Sequence, residues 1–305
     1  MAPADLSKMA VVLAAYGAAN LEALDDILNV KKKIEAAFPG VPVKIGFGSR
    51  TVRRAWWKRR DDPAWALEHP EVPRDILDVK GPLATAADLE DQGFQPVVFQ
   101  SLHIYAGEEY FNLKALVQAL EGVRTVKPAG RPFPRLALGR PALGEPGAAR
   151  DYRADLAEAA DILAPEIEAL PRDGTAALLY MWHGNRYFPT GIFQELEDLL
   201  RRRHPGAPIF LASLEGFPPL ESTLAELRRQ GIKRVVLAPL LLSVGSHARR
   251  DMAGDREGSW KSILLKNGFE VECLVRGLGR VDAWAEMYVR RLRDALADRG
   301  VWPRS

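Results

Sequence analysis

Two histidines and one glutamate in the second half of the chain each follow a separate apolar, strand-like segment. They are His183, Glu215 and His247, and the segments before them are Leu178–Trp182, Phe210–Leu214 and Val235–Leu242. Imidazole and carboxylate groups together suit Co(II), Fe(II), Ni(II) or Zn(II) better than Mg²⁺ or Ca²⁺, and imidazole also accepts protons near neutral pH. The three side chains therefore predict a site that handles a transition metal or a proton.

Strand-like and helical patterns alternate along the whole chain. The apolar strand-like segments are Val11–Ala15, Val41–Phe47, Pro96–Leu102, Leu136–Leu138, Ala176–Trp182, Ile209–Leu214, Val235–Leu242 and Val271–Val275. Apolar strands that alternate with helices are typical of α/β proteins whose parallel sheets are covered on both faces. Such folds bind ligands beyond the carboxyl ends of the strands, where the three candidates are expected to lie.

An internal repeat predicts two similar lobes. Residues 82–109 align without gaps with residues 220–247, an offset of 138, and 9 of the 28 aligned positions are identical. We expect an α/β fold of two similar lobes, each a parallel sheet flanked by helices, with a cleft between them. The N-terminal lobe is expected over 1–140 and the C-terminal lobe over 141–305, and packing of the last helix (282–297) back on the first lobe is left open.

The repeat adds candidates from the first half of the chain. Glu109 aligns with His247 and is expected in the loop after a strand, facing the same cleft. Tyr16 precedes a glycine at the end of the first strand, as His183 does. For His103, a structural role below the cleft is also considered. The candidates for substrate contacts from these loops are Tyr16, Gly17, Ser101, His103 and Gly184.

The segment Arg50–Arg60 is strongly basic and contains two adjacent tryptophans. Three interpretations stay open: RNA binding through phosphates and stacked bases, a pocket wall for a flat polycarboxylate ligand, and an amphipathic helix with buried tryptophans and a solvated basic face. In the second interpretation Arg54 pairs with a ligand carboxylate. Arg249, with its neighbours Arg250 and Asp251, is a candidate for the same anionic ligand.

Composition excludes several classes of protein. The 305 residues contain 42 Lys and Arg against 40 Asp and Glu, and a net charge of +2 argues against nucleic-acid binding through bulk charge. The single cysteine, Cys273, rules out an internal disulfide framework and is expected in a buried strand.

No apolar run approaches the roughly 18 residues of a membrane span. Residues 9–15 are interpreted as a strand rather than an export signal, so a cytoplasmic location is expected. No P-loop or GxGxxG motif is present, and no nucleotide cofactor is expected.

Several stretches resemble the anaerobic sirohydrochlorin cobaltochelatases (CbiK-type), within the class II tetrapyrrole chelatases. These stretches are Phe99–Tyr110, His183-Gly184, Glu215–Pro218, Ala238–Asp255 and Gly258–Lys261, and the resemblance extends over nearly the whole chain. It implies two similar α/β lobes around a cleft. It also implies a lyase-class chelatase that inserts Co(II), as its substrate metal, into sirohydrochlorin without ATP and releases two protons in anaerobic cobalamin biosynthesis.

The resemblance also implies roles for individual residues. His183 and His247 would bind the metal and accept protons, and Glu215 would be a third metal-binding residue. Glu109 would be an acidic catalytic residue facing the same cavity, and which of the two glutamates contacts the metal stays open. The chain departs from the family at Trp182, where glycine is usual, and this large side chain is a reason to expect an altered pocket.

Two other functions stay open. Co(II) and Fe(II) share the same ligands, so a sirohydrochlorin ferrochelatase for sirohaem fits the same residues. A bilobal protein that carries a metal or a tetrapyrrole without turnover is the alternative from a different class. The expected partners are sirohydrochlorin, a polycarboxylate tetrapyrrole, and a divalent metal, with no nucleic acid and no membrane. The sequence is compatible with a homo-oligomer.

Overall fold

The computed structural model describes residues 6–171 and 173–301 and divides into two compact units. Unit 1 contains the described residues of Met1–Pro146 and Ala285–Ser305, and unit 2 contains those of Gly147–Trp284. Within the described residues, no helix is both long enough and apolar enough to cross a bilayer.

Unit 1 is built on a parallel sheet of four strands in the order β2-β1-β3-β4. The strands are β1 (Ala10–Ala15), β2 (Val43–Phe47), β3 (Val97–Ser101) and β4 (Leu136–Gly139). The helices are α1 (Leu21–Ala37), α2 (Arg50–Arg60), α3 (Pro63–Glu68), α4 (Arg74–Leu77), α5 (Pro82–Asp91) and α6 (Glu108–Gly122). All six residues of β1 are buried, as expected of a central strand covered on both faces.

Unit 2 is built on a second parallel sheet in the order β6-β5-β7-β8. Its strands are β5 (Ala176–Gly184), β6 (Ile209–Glu215), β7 (Arg234–Pro239) and β8 (Glu270–Cys273). The helices along this part of the chain are α7 (Tyr152–Glu168), α8 (Ile192–Arg203), α9 (Leu220–Arg229) and α10 (Trp260–Lys266), with a π-helical segment, His247–Met252, after β7. Helix α11 (Asp282–Asp298) closes the described chain.

The two sheets share one strand order and one set of parallel pairings, which confirms the predicted fold class of two similar α/β lobes. The bounds of α5 and α9 differ by the predicted offset of 138 residues at both ends. Each of these helices is followed by a glycine with positive φ, Gly93 at 84° and Gly231 at 72°. Glycine adopts this conformation without strain, so the repeated glycines end the two helices in the same way.

Alternation along the central strands sorts side chains between the two faces of each sheet. In β5, Ala177, Leu179 and Met181 pack into one cluster with residues of α9 and α10. Met252, the last residue of the π-helical segment, belongs to the same cluster. The face of β5 that carries Met181 is therefore also the face on which the His247–Met252 segment lies.

The division of the chain differs from the expected boundary at 140/141. The Leu143 N–H donates to the Ile104 carbonyl at 2.8 Å, which ties the residues after 140 to unit 1. Most of α11 also belongs to unit 1, where the Tyr288 hydroxyl donates to the Leu102 carbonyl at 3.1 Å. The last helix thus packs on the first unit, the arrangement that the sequence left open.

Candidate functional site

The end of β5 carries the first of the two histidines. β5 runs through His183 to Gly184, and Gly184 pairs with Glu215, the last residue of β6. Gly184 has a φ of 81°, and a Cβ at this position would lie 1.7 Å from the Glu215 carbonyl oxygen, so only glycine allows the two strands to approach so closely. His183, expected directly after its strand, therefore lies within β5, whereas Glu215 lies at the end of its strand as expected.

The imidazole of His183 presents its Nε2 atom. His183 is exposed although Met181 and Trp182 before it are buried. Its Nδ1 atom lies 3.0 Å from the Gly184 carbonyl oxygen. A carbonyl oxygen only accepts hydrogen bonds, so Nδ1 carries the proton and Nε2 keeps the lone pair.

His247 is held by a buried carboxylate. Its side chain is 40% exposed, and its Nδ1 atom lies 2.7 Å from Oδ2 of Asp251. The other Asp251 oxygen accepts from Arg250 at 3.0 Å and from Arg256. Burial raises the pKa of the Asp251 carboxyl, but hydrogen bonds from Arg250 and His247 outweigh burial, and the pKa lies below its ordinary value. The ionised carboxylate accepts from Nδ1–H of His247, which leaves Nε2 as the free acceptor.

The two imidazoles lie against each other in unit 2. Their ring centroids are 4.8 Å apart and their planes are nearly perpendicular, at 86°. They meet because His183 is on the face of β5 that carries Met181, where Met252 anchors the π-helical segment. In their neutral forms, two imidazoles with protonated Nδ1 atoms offer two Nε2 atoms that can bind a transition metal or accept protons.

Glu215 is not gathered into this pair. Its Oε2 atom lies 3.8 Å from Nε of Arg186, and the side chains of Arg186 and Glu215 are 66% and 44% exposed. Across residues 6–171 and 173–301, no group of three or more His, Cys, Asp or Glu side chains could hold a metal ion. The structure therefore brings together two of the three predicted ligands, and a third ligand from Glu215 stays a prediction.

Glu109 lies in a helix rather than in the expected loop. The Phe111 N–H donates to the Gly107 carbonyl at 3.0 Å, so α6 begins directly after Gly107 and holds Glu109 in its first turn. His247 has the equivalent backbone position, since the N–H two residues after it donates to the Gly245 carbonyl at 3.2 Å. The alignment of Glu109 with His247 is therefore confirmed in the backbone of the two units.

Among the other unit 1 candidates, Gly17, Ser101 and His103 contact neighbouring residues, whereas Tyr16 is exposed. A Cβ at Gly17, where φ is 139°, would lie 2.9 Å from Cγ1 of Val52. Oγ of Ser101 lies 2.9 Å from Nδ1 of His103, and burial lowers the pKa of His103 to about 4, so this ring is neutral at physiological pH. Tyr16, which follows β1, is 57% exposed. Contact of these residues with a substrate stays a prediction.

Both tryptophans of the basic segment are engaged in packing. Trp56 is fully buried, and its indole N–H donates to the Ala18 carbonyl at 2.7 Å. The Trp57 indole N–H donates to the Val79 carbonyl at 3.0 Å. The segment forms helix α2, in which Trp56 is buried as the third interpretation expects, while Trp57 is partly exposed. Arg54 is exposed on the same helix.

Trp182 belongs to the core of unit 2. It is 1% exposed and stacks on Phe193 of α8, with centroids 3.9 Å apart and planes inclined by 14°. Alternation along β5 directs it to the face opposite His183. Trp182, which departs from the family, therefore does not share the face of β5 that carries His183. Cys273, expected to be buried, is partly exposed at the end of β8.

Asp251 is a residue of the candidate site whose contact with His247 the sequence analysis did not indicate. It was grouped with Arg249 and Arg250 as a contact for an anionic ligand, whereas its carboxylate faces His247. Arg249 itself is exposed on the π-helical segment. The signal that identifies Asp251 is its spacing of four residues from a candidate histidine, because residues four apart in a helical segment lie side by side.

Comparisons with known proteins show which family the chain belongs to. A family model described as "Cobalt chelatase (CbiK)" matches residues 9–297. The sirohydrochlorin cobaltochelatase CbiKC of Nitratidesulfovibrio vulgaris is 29% identical over 295 residues, which cover 96% of this chain and 92% of that protein. The sirohydrochlorin cobaltochelatase of Salmonella typhimurium is 30% identical over 223 residues, which cover 73% of this chain and 77% of that protein.

A solved structure supports the fold. SirB from Bacillus subtilis subspecies spizizenii, a sirohydrochlorin chelatase in complex with cobalt, aligns with a TM-score of 0.58 and 10% identity over 96% of this chain and 97% of that one. At this identity the likeness supports the architecture alone. The family model, in contrast, spans nearly the whole chain and includes both histidines. The chain therefore belongs to the CbiK cobalt chelatase family.

Proposed function

We propose that the protein is a sirohydrochlorin cobaltochelatase, which inserts Co(II) into sirohydrochlorin and releases two protons. The observation that carries this proposal is the pair of His183 and His247, whose rings meet at 4.8 Å with both Nδ1 atoms engaged and both Nε2 atoms free to act. The names of the relatives support the same activity.

The chemistry of metallation suits this pair. Placing a divalent metal in a tetrapyrrole displaces two pyrrolic protons, so bases are needed beside the macrocycle. Imidazole is also a ligand for Co(II) that can hold the metal before transfer. In this proposal the Nε2 atoms of His183 and His247 hold the metal and accept protons, Glu215 is a third metal ligand, and Glu109 is an acidic catalytic residue.

Recognition of the macrocycle calls for cations and shape. Sirohydrochlorin carries eight carboxylates, and guanidinium groups pair with carboxylates in a bidentate manner. Arg249, exposed two residues after His247, and Arg54, exposed on α2, are proposed to pair with these carboxylates. The remaining proposed contacts are Tyr16, Gly17, Ser101, His103 and Gly184.

Co(II) is proposed as the substrate metal, with Fe(II) as the alternative that the same ligands would accept. We also propose that the reaction needs no nucleotide, takes place in the cytoplasm, and involves neither nucleic acid nor membrane. Whether copies of the chain associate is to be decided by measuring the mass of the protein in solution.

An anaerobic metallation assay tests the proposal. The absorbance change of sirohydrochlorin with Co(II) should be faster with the protein, and His183→Ala and His247→Ala should each lower the rate at least about 10-fold. His204→Ala, at the end of α8, is the matched control and should keep the wild-type rate. Full rates in both site variants would refute the assigned residues. Faster turnover with Fe(II) would assign the iron reaction, and binding of sirohydrochlorin without acceleration would indicate a carrier protein.

A further inference from the structure

The two histidines differ in the group that contacts their Nδ1 atoms. Nδ1 of His183 donates to a backbone carbonyl, whereas Nδ1 of His247 meets the carboxylate of Asp251 at 2.7 Å. The side chain of Asp251 is 7% exposed, while that of His247 is 40% exposed. A buried carboxylate thus faces the inner nitrogen of an accessible imidazole.

The carboxylate is itself fixed by two cations. One oxygen, Oδ1, accepts from Nε of Arg250 at 3.0 Å and from Arg256, and the other, Oδ2, is left to His247. Burying an ionised carboxylate is costly unless it is paired and hydrogen-bonded. Because Arg250 and Arg256 supply that pairing on one oxygen, the second oxygen is held in place for the imidazole.

The backbone around this contact is also unusual. The Ala253 N–H donates to the Ala248 carbonyl at 3.1 Å, an i→i+5 bond that closes the π-helical segment. Such π-helical turns occur often at functional sites. The segment places His247 at its exposed start, while Asp251 and Met252 lie buried at its end.

We infer that Asp251 is a positioning residue for metallation, which fixes the Nδ1–H tautomer and the orientation of His247 so that Nε2 faces the reacting metal or proton. A carboxylate behind a metal-binding histidine performs this role in many metal sites, and its loss typically costs about 10–100-fold in affinity or activity. The effect on metallation rests on the proposed function. The tautomer of His247 does not, because it is a property of the protein without substrate.

The first test measures the tautomer directly. In Asp251→Asn the charge is lost, and the amide can turn its NH₂ group toward Nδ1, which favours the proton on Nε2. Long-range ¹H–¹⁵N NMR of the metal-free protein should show His247 protonated at Nδ1 in the wild type and at Nε2 in the variant. Asp255→Asn is the control, because Asp255 is exposed and pairs with Lys261 at 2.7 Å. An unchanged tautomer in Asp251→Asn would overturn the inference.

The second test separates positioning from structure. Asp251→Asn should lower kcat about 10–100-fold while KM for sirohydrochlorin changes less than about twofold, and Asp255→Asn should match the wild type. If Asp251→Asn does not fold, Arg256→Gln, which changes a half-exposed partner of Oδ1, should give a smaller loss of kcat while His247 stays protonated at Nδ1. Wild-type kcat in the folded variant, or an equal loss in Asp255→Asn, would overturn the inference. A wild-type protein that does not accelerate metallation would refute the proposed function, while the NMR result would still stand.

Discussion

Gly184→Ala is expected to lower the free energy of unfolding by about 2–5 kcal/mol. A Cβ at residue 184 would lie 1.7 Å from the carbonyl oxygen of Glu215 and 2.7 Å from its carbonyl carbon, and neither backbone atom can rotate away as a side chain could. The φ of 81° adds about 1–2 kcal/mol for a residue with a Cβ, and relief of the overlap adds about 1–3 kcal/mol. Moving β6 away from β5 would also disturb the strand end that carries His183.

Urea unfolding of Gly184→Ala beside Gly268→Ala measures the two contributions separately. Gly268 has a φ of 87°, and an added Cβ there has nothing within 4 Å, so this control carries the conformational cost alone, about 1–2 kcal/mol. The excess loss in Gly184→Ala is then the energy of the overlap with Glu215. Equal losses in the two variants would refute the reasoning, because the close approach of β5 and β6 would then carry no cost.

Trp182→Ala should lower the free energy of unfolding by about 3–5 kcal/mol, because it removes the ring that stacks on Phe193 and leaves a cavity. A loss below about 1 kcal/mol in denaturant unfolding would contradict the place of Trp182 in the core. Burial lowers the pKa of His103 to about 4, so the unfolded chain, in which histidine titrates at about 6.5, binds more protons between these pH values. Stability should therefore fall as the pH drops from about 6.5 towards 4, and His103→Asn should flatten this slope in melting curves measured across the range. Trp56→Phe removes the donor to the Ala18 carbonyl and should lower the free energy of unfolding by about 1–3 kcal/mol. In an RNA shift assay this variant should behave like the wild type.

The repeat made the architecture predictable. Nine identities at one offset predicted two copies of one lobe, and the two sheets have the same strand order. A local sequence feature is repeated as well, because Gly93 and Gly231 follow equivalent helices and end them in both units. The boundary at 140/141 was less predictable, since it depends on hydrogen bonds such as that of Leu143 with Ile104, between residues far apart in sequence.

Features that depend on contacts between neighbouring strands and helices were not predicted from the sequence. The continuation of β5 through His183 needs Glu215 opposite Gly184, a pairing that no local pattern contains. The burial of Trp56 depends on the Ala18 carbonyl, 38 residues away, so the basic segment left three interpretations open. The link from His247 to Asp251 was visible as a spacing, but its meaning depended on a π-helical backbone that residue propensities do not predict.

The duplication also shows which residues distinguish unit 2, the unit with the histidine pair, from unit 1. At the positions equivalent to His183 and His247, unit 1 has Tyr16 and Glu109. Continuing the offset of 138 places Leu113 at the position of Asp251, and both residues are 5% exposed. Leu113 packs into the apolar cluster of unit 1, so this copy has no buried carboxylate at that position to hold an imidazole at residue 109. A histidine in place of Glu109 would therefore supply the imidazole ring but not a fixed tautomer. Leu113 offers no acceptor for its Nδ1–H, whereas Asp251 offers one in unit 2.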